Sequence, residues 1–177
     1  MCIRDRKGGL LFKALARMAE RRLDQFNAQN LANTAWAFAT VNRPDEKLFT
    51  ALARAAEQRV SEFNAQNLAN TAWAFATLGQ SDAPLFTALA REAERRMCDF
   101  SQQELANTAW AFAKVGRGDA WLFDMLAKVA LTKISGFNEQ ELAITTWAFA
   151  KGGRDRARLL TVPLFDALAE EDRLSWK

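Results

Sequence analysis

Four kinds of side chain recur at fixed spacing and could do chemistry. Gln29, Asn33, Trp36 and Thr40 are followed by Gln66, Asn70, Trp73 and Thr77, each 37 residues on. The series continues as Gln103, Asn107, Trp110 and Lys114, then as Gln140, Ile144, Trp147 and Lys151. Steps of four, three and four residues put each set on one stripe of a helix. Stacked repeats turn the stripes into parallel ladders of amides beside flat aromatic rings. Amides hydrogen-bond base edges or a peptide backbone. Indole rings stack on bases at roughly 1–3 kcal/mol each. The ladder therefore suits an extended polymer, with single-stranded RNA or an extended peptide as its ligand.

Each ladder also has a reading that needs no ligand. The tryptophans lie at the edge of the apolar arc, where they can pack on the core. The asparagines can bond to one another between repeats, and the glutamines sit in the first helical turn, where they can assist capping. Uniform residues cannot tell one nucleotide from another. Discrimination would fall to positions that vary: Asn30/Asn67/Glu104/Glu141, Asn33/Asn70/Asn107/Ile144 and Thr40/Thr77/Lys114/Lys151.

Two basic columns accompany the stripe. Arg17, Arg54, Arg91 and Lys128 form one; Arg22, Arg59, Arg96 and Lys133 form the other. Both can serve as tracks for backbone phosphates, which would make binding strongly salt-dependent. The alternative is a solvated face, with Glu20, Glu57 and Glu94 as i,i+3 partners of the first column and last-turn placement for the second. Where these columns lie separates the two ligands. Cations in the groove of Asn70 and Trp73 favour RNA; cations on the outer rim favour a peptide or a scaffold.

The elements that position these residues follow from the period. LANTAWAFA occurs at residues 31–39, 68–76 and 105–113, and LAITTWAFA at 142–150. A period of this length marks stacked helical repeats. In the second repeat Leu48, Phe49, Leu52, Ala53, Ala56 and Val60 share one face of a helix A over about 46–60. Asp45 is its N-cap, matched by Asp82, Asp119 and Thr161, and Pro84 and Pro163 fall just inside a helix start. Helix B covers about 65–78 behind the N-cap Asn64. Ser101 with Glu104 makes a capping box and Asn138 with Glu141 a close variant. Asn42, Gly79, Gly116 and Gly152 fit the left-handed residue that closes helix B.

One hairpin cannot fold alone. Its few large apolar side chains contribute roughly 1.5–3 kcal/mol each when buried, while ordering its backbone costs about 1–2 kcal/mol per residue. The expected fold is all-α, a right-handed α-solenoid of 37-residue helix-hairpin repeats, four full repeats plus a half. The repeats span about 8–44, 45–81, 82–118 and 119–160, with a partial one at 161–177, all in one domain over 7–177. The connection at 152–162 is longer and carries Arg154, Arg156 and Arg158. Residues 1–6, Met-Cys-Ile-Arg-Asp-Arg, match no repeat position and read as a translated sequencing-adapter scar outside the fold. A scar there would make the lack of a targeting peptide uninformative.

Composition narrows the chemistry. The chain has no histidine, so the commonest general base and metal ligand is missing. The two cysteines, Cys2 and Cys98, have no metal or disulfide spacing; Cys98 reads as an inert surface thiol. There is no Gly-rich phosphate loop and no Ser/His/Asp set. No catalytic residue, cofactor, metal or small-molecule substrate is expected, and the chain is not expected to be an enzyme. No apolar run is long enough to span a bilayer. The net charge of +3 permits an anionic partner without demanding one, and setting aside Arg4, Asp5 and Arg6 lowers it further.

The pattern F-x-x-L-A-x-x-A, then F-x-x-Q-[NE]-L-A-N-T-A-W-A-F-A, resembles the octotricopeptide repeat family and the related helical repeats of FAST-kinase-like and RAP-domain proteins. The likeness covers Leu11–Ala150 and the half repeat from Leu164 to Leu174; Ile144 and Thr146 depart from it. The resemblance implies sequence-selective binding of single-stranded RNA in mitochondria or chloroplasts, in transcript processing, stability or translation. The alternative function is a protein-interaction scaffold that grips extended peptides.

Overall fold

The computed structural model describes residues 3–117 and 120–152, with side chains from residue 9 onward. The described residues are all-helical. They form α1 (Ile3–Glu20), α2 (Ala28–Thr40), α3 (Glu46–Gln58), α4 (Ala65–Thr77), α5 (Ala83–Arg96), α6 (Gln102–Val115), α7 (Ala120–Thr132) and α8 (Glu139–Gly152). The expected fifth-repeat helix, its cap Thr161 with Pro163, the arginines of the fourth connection and Asp119 all lie outside the described residues. Helix α1 begins at Ile3, so residues 3–6 share the helical run of the first repeat.

The odd helices form one layer and the even helices another. Even helices pack closely on even neighbours, and odd helices approach odd neighbours less closely. The sequence supplies the reason. α4 carries Ala65, Ala69, Ala72, Ala74 and Ala76, and small side chains let helix axes come near the short end of the usual 8–10 Å range. Each odd helix is joined to the even helix of its own repeat by an edge-on phenylalanine pair. The centroids are 5.3 Å apart for Phe12–Phe38, 5.0 Å for Phe49–Phe75, 5.2 Å for Phe86–Phe112 and 5.6 Å for Phe123–Phe149. Such pairs contribute about 0.5–1.5 kcal/mol beyond the area they bury.

The caps form at the expected residues. The side chains of Asp45, Asp82, Asn64 and Ser101 accept from the backbone N–H groups of Leu48, Leu85, Asn67 and Glu104. Reciprocal boxes join Ser101 to Glu104 and Asn138 to Glu141, and also Asn27 to Asn30, a pair the sequence reading had not singled out. Helix A is shorter than expected. α3 stops at Gln58, and a 3-10 turn at Val60–Glu62 makes the bend into α4. The same turn recurs at Leu23–Gln25, Met97–Asp99 and Ile134–Gly136. Asn42, Gly79 and Gly116 take the left-handed conformation, with φ of 50°, 71° and 65°. Gly152 does not: it is the last residue of α8, with its Cα facing the Phe123 ring.

Candidate nucleic-acid interface

Helix α4 is buried on almost every side. Its only unburied residues are Gln66, Asn70, Trp73 and Thr77. They point away from Phe75, which meets the odd layer through Phe49. Helix α6 repeats this with Gln103, Asn107, Trp110 and Lys114, plus residues at its two ends. On α2 and α8, Gln29, Asn33, Trp36, Gln140, Trp147 and Lys151 are exposed, while Ile144 is half-buried. The even layer therefore presents one continuous polar and aromatic stripe.

The tryptophans are both packed and available. Trp73 and Trp110 rest against the core. Their rings are 6.4 Å apart and tilted by 30°, and Trp110 and Trp147 are 6.5 Å apart and tilted by 36°. Lys114 Nζ lies 4.5 Å from the centre of the Trp110 ring, and Lys151 Nζ 4.8 Å from that of Trp147. These are cation–π distances. Lys114 also donates to the Thr77 carbonyl of the preceding repeat at 3.5 Å.

The amides are not consumed by the fold. No hydrogen bond joins the side chains of Asn33, Asn70 and Asn107 to any described residue. An inter-repeat asparagine ladder is thus not formed. The glutamines do not cap either, because the helix starts are closed by Asn27, Asn64, Ser101 and Asn138 with the third residue of each helix. Each amide keeps donors and acceptors for an outside group.

The basic columns lie elsewhere. Arg54 is about half a turn away from the apolar face of α3 that carries Phe49 and Leu52, on the surface opposite the stripe. It borders an outer groove of about 640 Å³ with Asp24, Gln25, Asn27, Gln58 and Arg59. Arg17, Arg91 and Lys128 hold the equivalent exposed positions. Arg17 and Arg54 make no ion pair with Glu20 and Glu57 among the described residues. A groove shared by this column and the stripe is therefore not what the fold builds, because an odd helix and its even partner turn their apolar faces toward each other.

The second column fastens repeats together. Arg59 donates to the Phe26 carbonyl of the preceding repeat and pairs with Glu62 at 2.6 Å. Arg96 donates to the Ser61 carbonyl at 3.2 Å and pairs with Glu92 at 2.7 Å. Lys133 donates to the carbonyls of Cys98, at 3.0 Å, and Phe100. These carbonyls lie in the 3-10 turns or on the residue directly after them, where the helices leave acceptors open. Arg22 is exposed and has no such acceptor among the described residues. Sequence reading missed this task, although the 37-residue register of the column with the turns contains its signal. The Glu62 hydrogen bond raises the Arg59 pKa, and Arg59 holds the Glu62 carboxyl below the usual carboxylate value.

Among the described residues no cluster of His, Cys, Asp or Glu is placed to hold a metal ion, and no helix is long and apolar enough to cross a membrane. Cys98 is an exposed free thiol.

Comparison with known proteins corrects the family. No curated protein matches the chain. The profile of the RNA-editing substrate-binding complex 6 proteins matches residues 2–172. This overturns the resemblance to octotricopeptide and FAST-kinase-like repeats. The quoted residues were mainly Leu, Ala, Trp and Phe at hairpin spacing, which any close stack of helix pairs requires, so they carry packing more than ancestry. The chain belongs to the RNA-editing substrate-binding complex 6 protein family, RESC6, and its function is RNA-related.

Proposed function

We propose that the chain binds single-stranded RNA along the even-helix stripe, without a catalytic step of its own, as part of RNA processing in the mitochondrion. The observation that carries this is the set of unpartnered amides of Asn33, Asn70 and Asn107 beside the Trp73–Trp110–Trp147 ladder. Bases stack on the indole rings and bond to the amides, while Lys114 and Lys151 meet phosphates. The family assignment supports an RNA ligand and gives a chloroplast setting no support. In this reading the layers continue as a right-handed solenoid of four 37-residue repeats and a half, in one domain.

The second reading, a scaffold for an extended peptide or a protein partner, is favoured by one observation. The odd-helix cations face away from the stripe, leaving Lys114 and Lys151 as the cations of its described part. Fluorescence anisotropy of a random single-stranded RNA pool at two salt concentrations, with duplex DNA as control, separates the two. Saturable, salt-sensitive binding that prefers single strands supports RNA. No RNA binding supports the scaffold.

A further inference from the structure

The junctions between neighbouring odd helices are built to one plan, so one junction shows what another leaves open. Ala55 of α3 is followed, 37 residues on each time, by Glu92 of α5 and Val129 of α7. Glu92 carries a charge yet is only 6% exposed. Its carboxylate accepts from Arg96 at 2.7 Å and from Arg95 at 3.3 Å. Arg96 reaches on to the Ser61 carbonyl, across the α3–α5 junction. Val129 is half-buried against the core at the next junction. The α1–α3 junction has the same frame, because Arg59 reaches the Phe26 carbonyl. Here Ala55 stands in the place of Glu92, and Gln58 in that of Arg95, so α3 sends no carboxylate into the frame. The space is the outer groove of about 640 Å³, lined by Ala55, Gln58 and Arg59 together with Arg54, Phe26 and Asp24. Arg59 pairs with Glu62 instead. Arg54 makes no ion pair among the described residues, so it is the uncommitted cation of the groove.

We infer that the α1–α3 groove binds a glutamate or aspartate side chain from an acidic, extended segment of a partner protein. The chain itself shows the fit one repeat away, where the Glu92 carboxylate lies between two guanidinium groups. At the groove a guest carboxylate meets Arg54, with the Arg59 guanidinium beside it. A guanidinium pairs with a planar carboxylate through two parallel N–H donors. Gln25 and Gln58 line the same groove and make no side-chain hydrogen bond to a described residue. Their amides are free for the backbone of the guest segment. Charge favours one carboxylate over a run of phosphates, because Asp24 lines the groove and Glu62 already engages Arg59. The site is confined to this junction. Arg91 and Lys128 continue the column, but Glu92 and Val129 occupy the matching places beside them. The groove lies on the surface opposite the Trp73–Trp110 stripe, so the inference does not rest on the RNA reading.

Fluorescence anisotropy of a labelled peptide of alternating glutamate and alanine, titrated with the 177-residue chain, tests this. Saturable binding is expected, and the matching glutamine–alanine peptide binds more weakly. Arg54→Gln weakens the glutamate peptide about fivefold, the upper range for an exposed ion pair. Arg91→Gln leaves it unchanged, because Glu92 fills that junction. Ala55→Glu supplies the chain's own carboxylate, keeps the wild-type melting temperature and abolishes peptide binding. If Ala55→Glu melts lower, the contrast between Arg54→Gln and Arg91→Gln decides alone. No binding of the glutamate peptide, equal binding of the glutamine peptide, or equal losses in Arg54→Gln and Arg91→Gln overturns the inference. Single-stranded oligouridylate that displaces the peptide, and that Arg54→Gln weakens equally, would assign the groove to phosphate and overturn it too. Oligouridylate that binds while the peptide stays bound supports a separate protein site opposite the RNA. A bound peptide with no oligouridylate binding supports this inference and removes the RNA reading.

Discussion

The rings of Trp73 and Trp110 stand 6.4 Å apart with a 30° tilt, each half-buried against the core. Trp110→Ala therefore lowers RNA affinity and stability together. The loss of stacking is about 1–3 kcal/mol. The loss of stability is about 3 kcal/mol, the low end for truncating a large buried ring. Anisotropy and urea unfolding in one buffer measure both. Loss of stability alone would take the ring away from the ligand.

The asparagines behave differently because the fold does not use their amides. Asn33→Ala with Asn70→Ala and Asn107→Ala leaves stability within about 0.5 kcal/mol per site and weakens RNA binding. A large drop in melting temperature would mean that the amides hold the repeats together.

Salt dependence separates the two cation sets. Lys114→Gln with Lys151→Gln lowers the slope of log affinity against log salt by about 1.4, at roughly 0.7 per single-strand phosphate contact. Arg54→Gln with Arg91→Gln leaves the slope unchanged, since that column faces the other way. The reverse result would place the ligand on the odd helices.

Arg59→Ala and Arg96→Ala remove donors to carbonyls of the preceding repeat. A charged donor on a carbonyl is stronger than a neutral one, and solvent exposure reduces that gain here. Urea midpoints should fall in both variants, while RNA affinity per folded molecule is retained. Unchanged midpoints would show that packing alone sets the repeat junctions.

Acid should weaken the same junction. Arg59 holds the Glu62 carboxyl below its ordinary value, about 4.3. The contribution is complete above that value and is lost as the pH falls through the lower folded value. Glu62→Gln is less stable than the wild type at neutral pH, and the gap closes on acidification. A gap that persists in strong acid would exclude the ion pair as its source. The raised Arg59 pKa keeps its charge throughout this range.

Much of this protein was legible because one pattern is written four times. The 37-residue spacing of Trp36, Trp73, Trp110 and Trp147 dictates helix pairs. Asp45, Asn64, Asp82 and Ser101 dictate where those pairs start, since a short oxygen side chain satisfies free amides locally. The stripe of Gln66, Asn70, Trp73 and Thr77 was also legible, because helical periodicity alone puts these residues together.

Tertiary structure decided the rest. Arg54 and Arg59 look alike along the chain, one inside α3 and the other five residues on at its C-cap. Only the stack shows that Arg54 faces outward opposite the stripe, while Arg59 reaches a carbonyl one repeat away. Asn70 could have bonded to its repeat-mates; only the stack shows that its amide makes no hydrogen bond to a described residue. Leu11 and Leu48 occupy the same sequence position, yet one is exposed and the other buried. Local sequence fixes helices through interactions within a few residues. Which face of a helix is covered depends on what lies 37 residues away, and that neighbour exists only in the assembled stack.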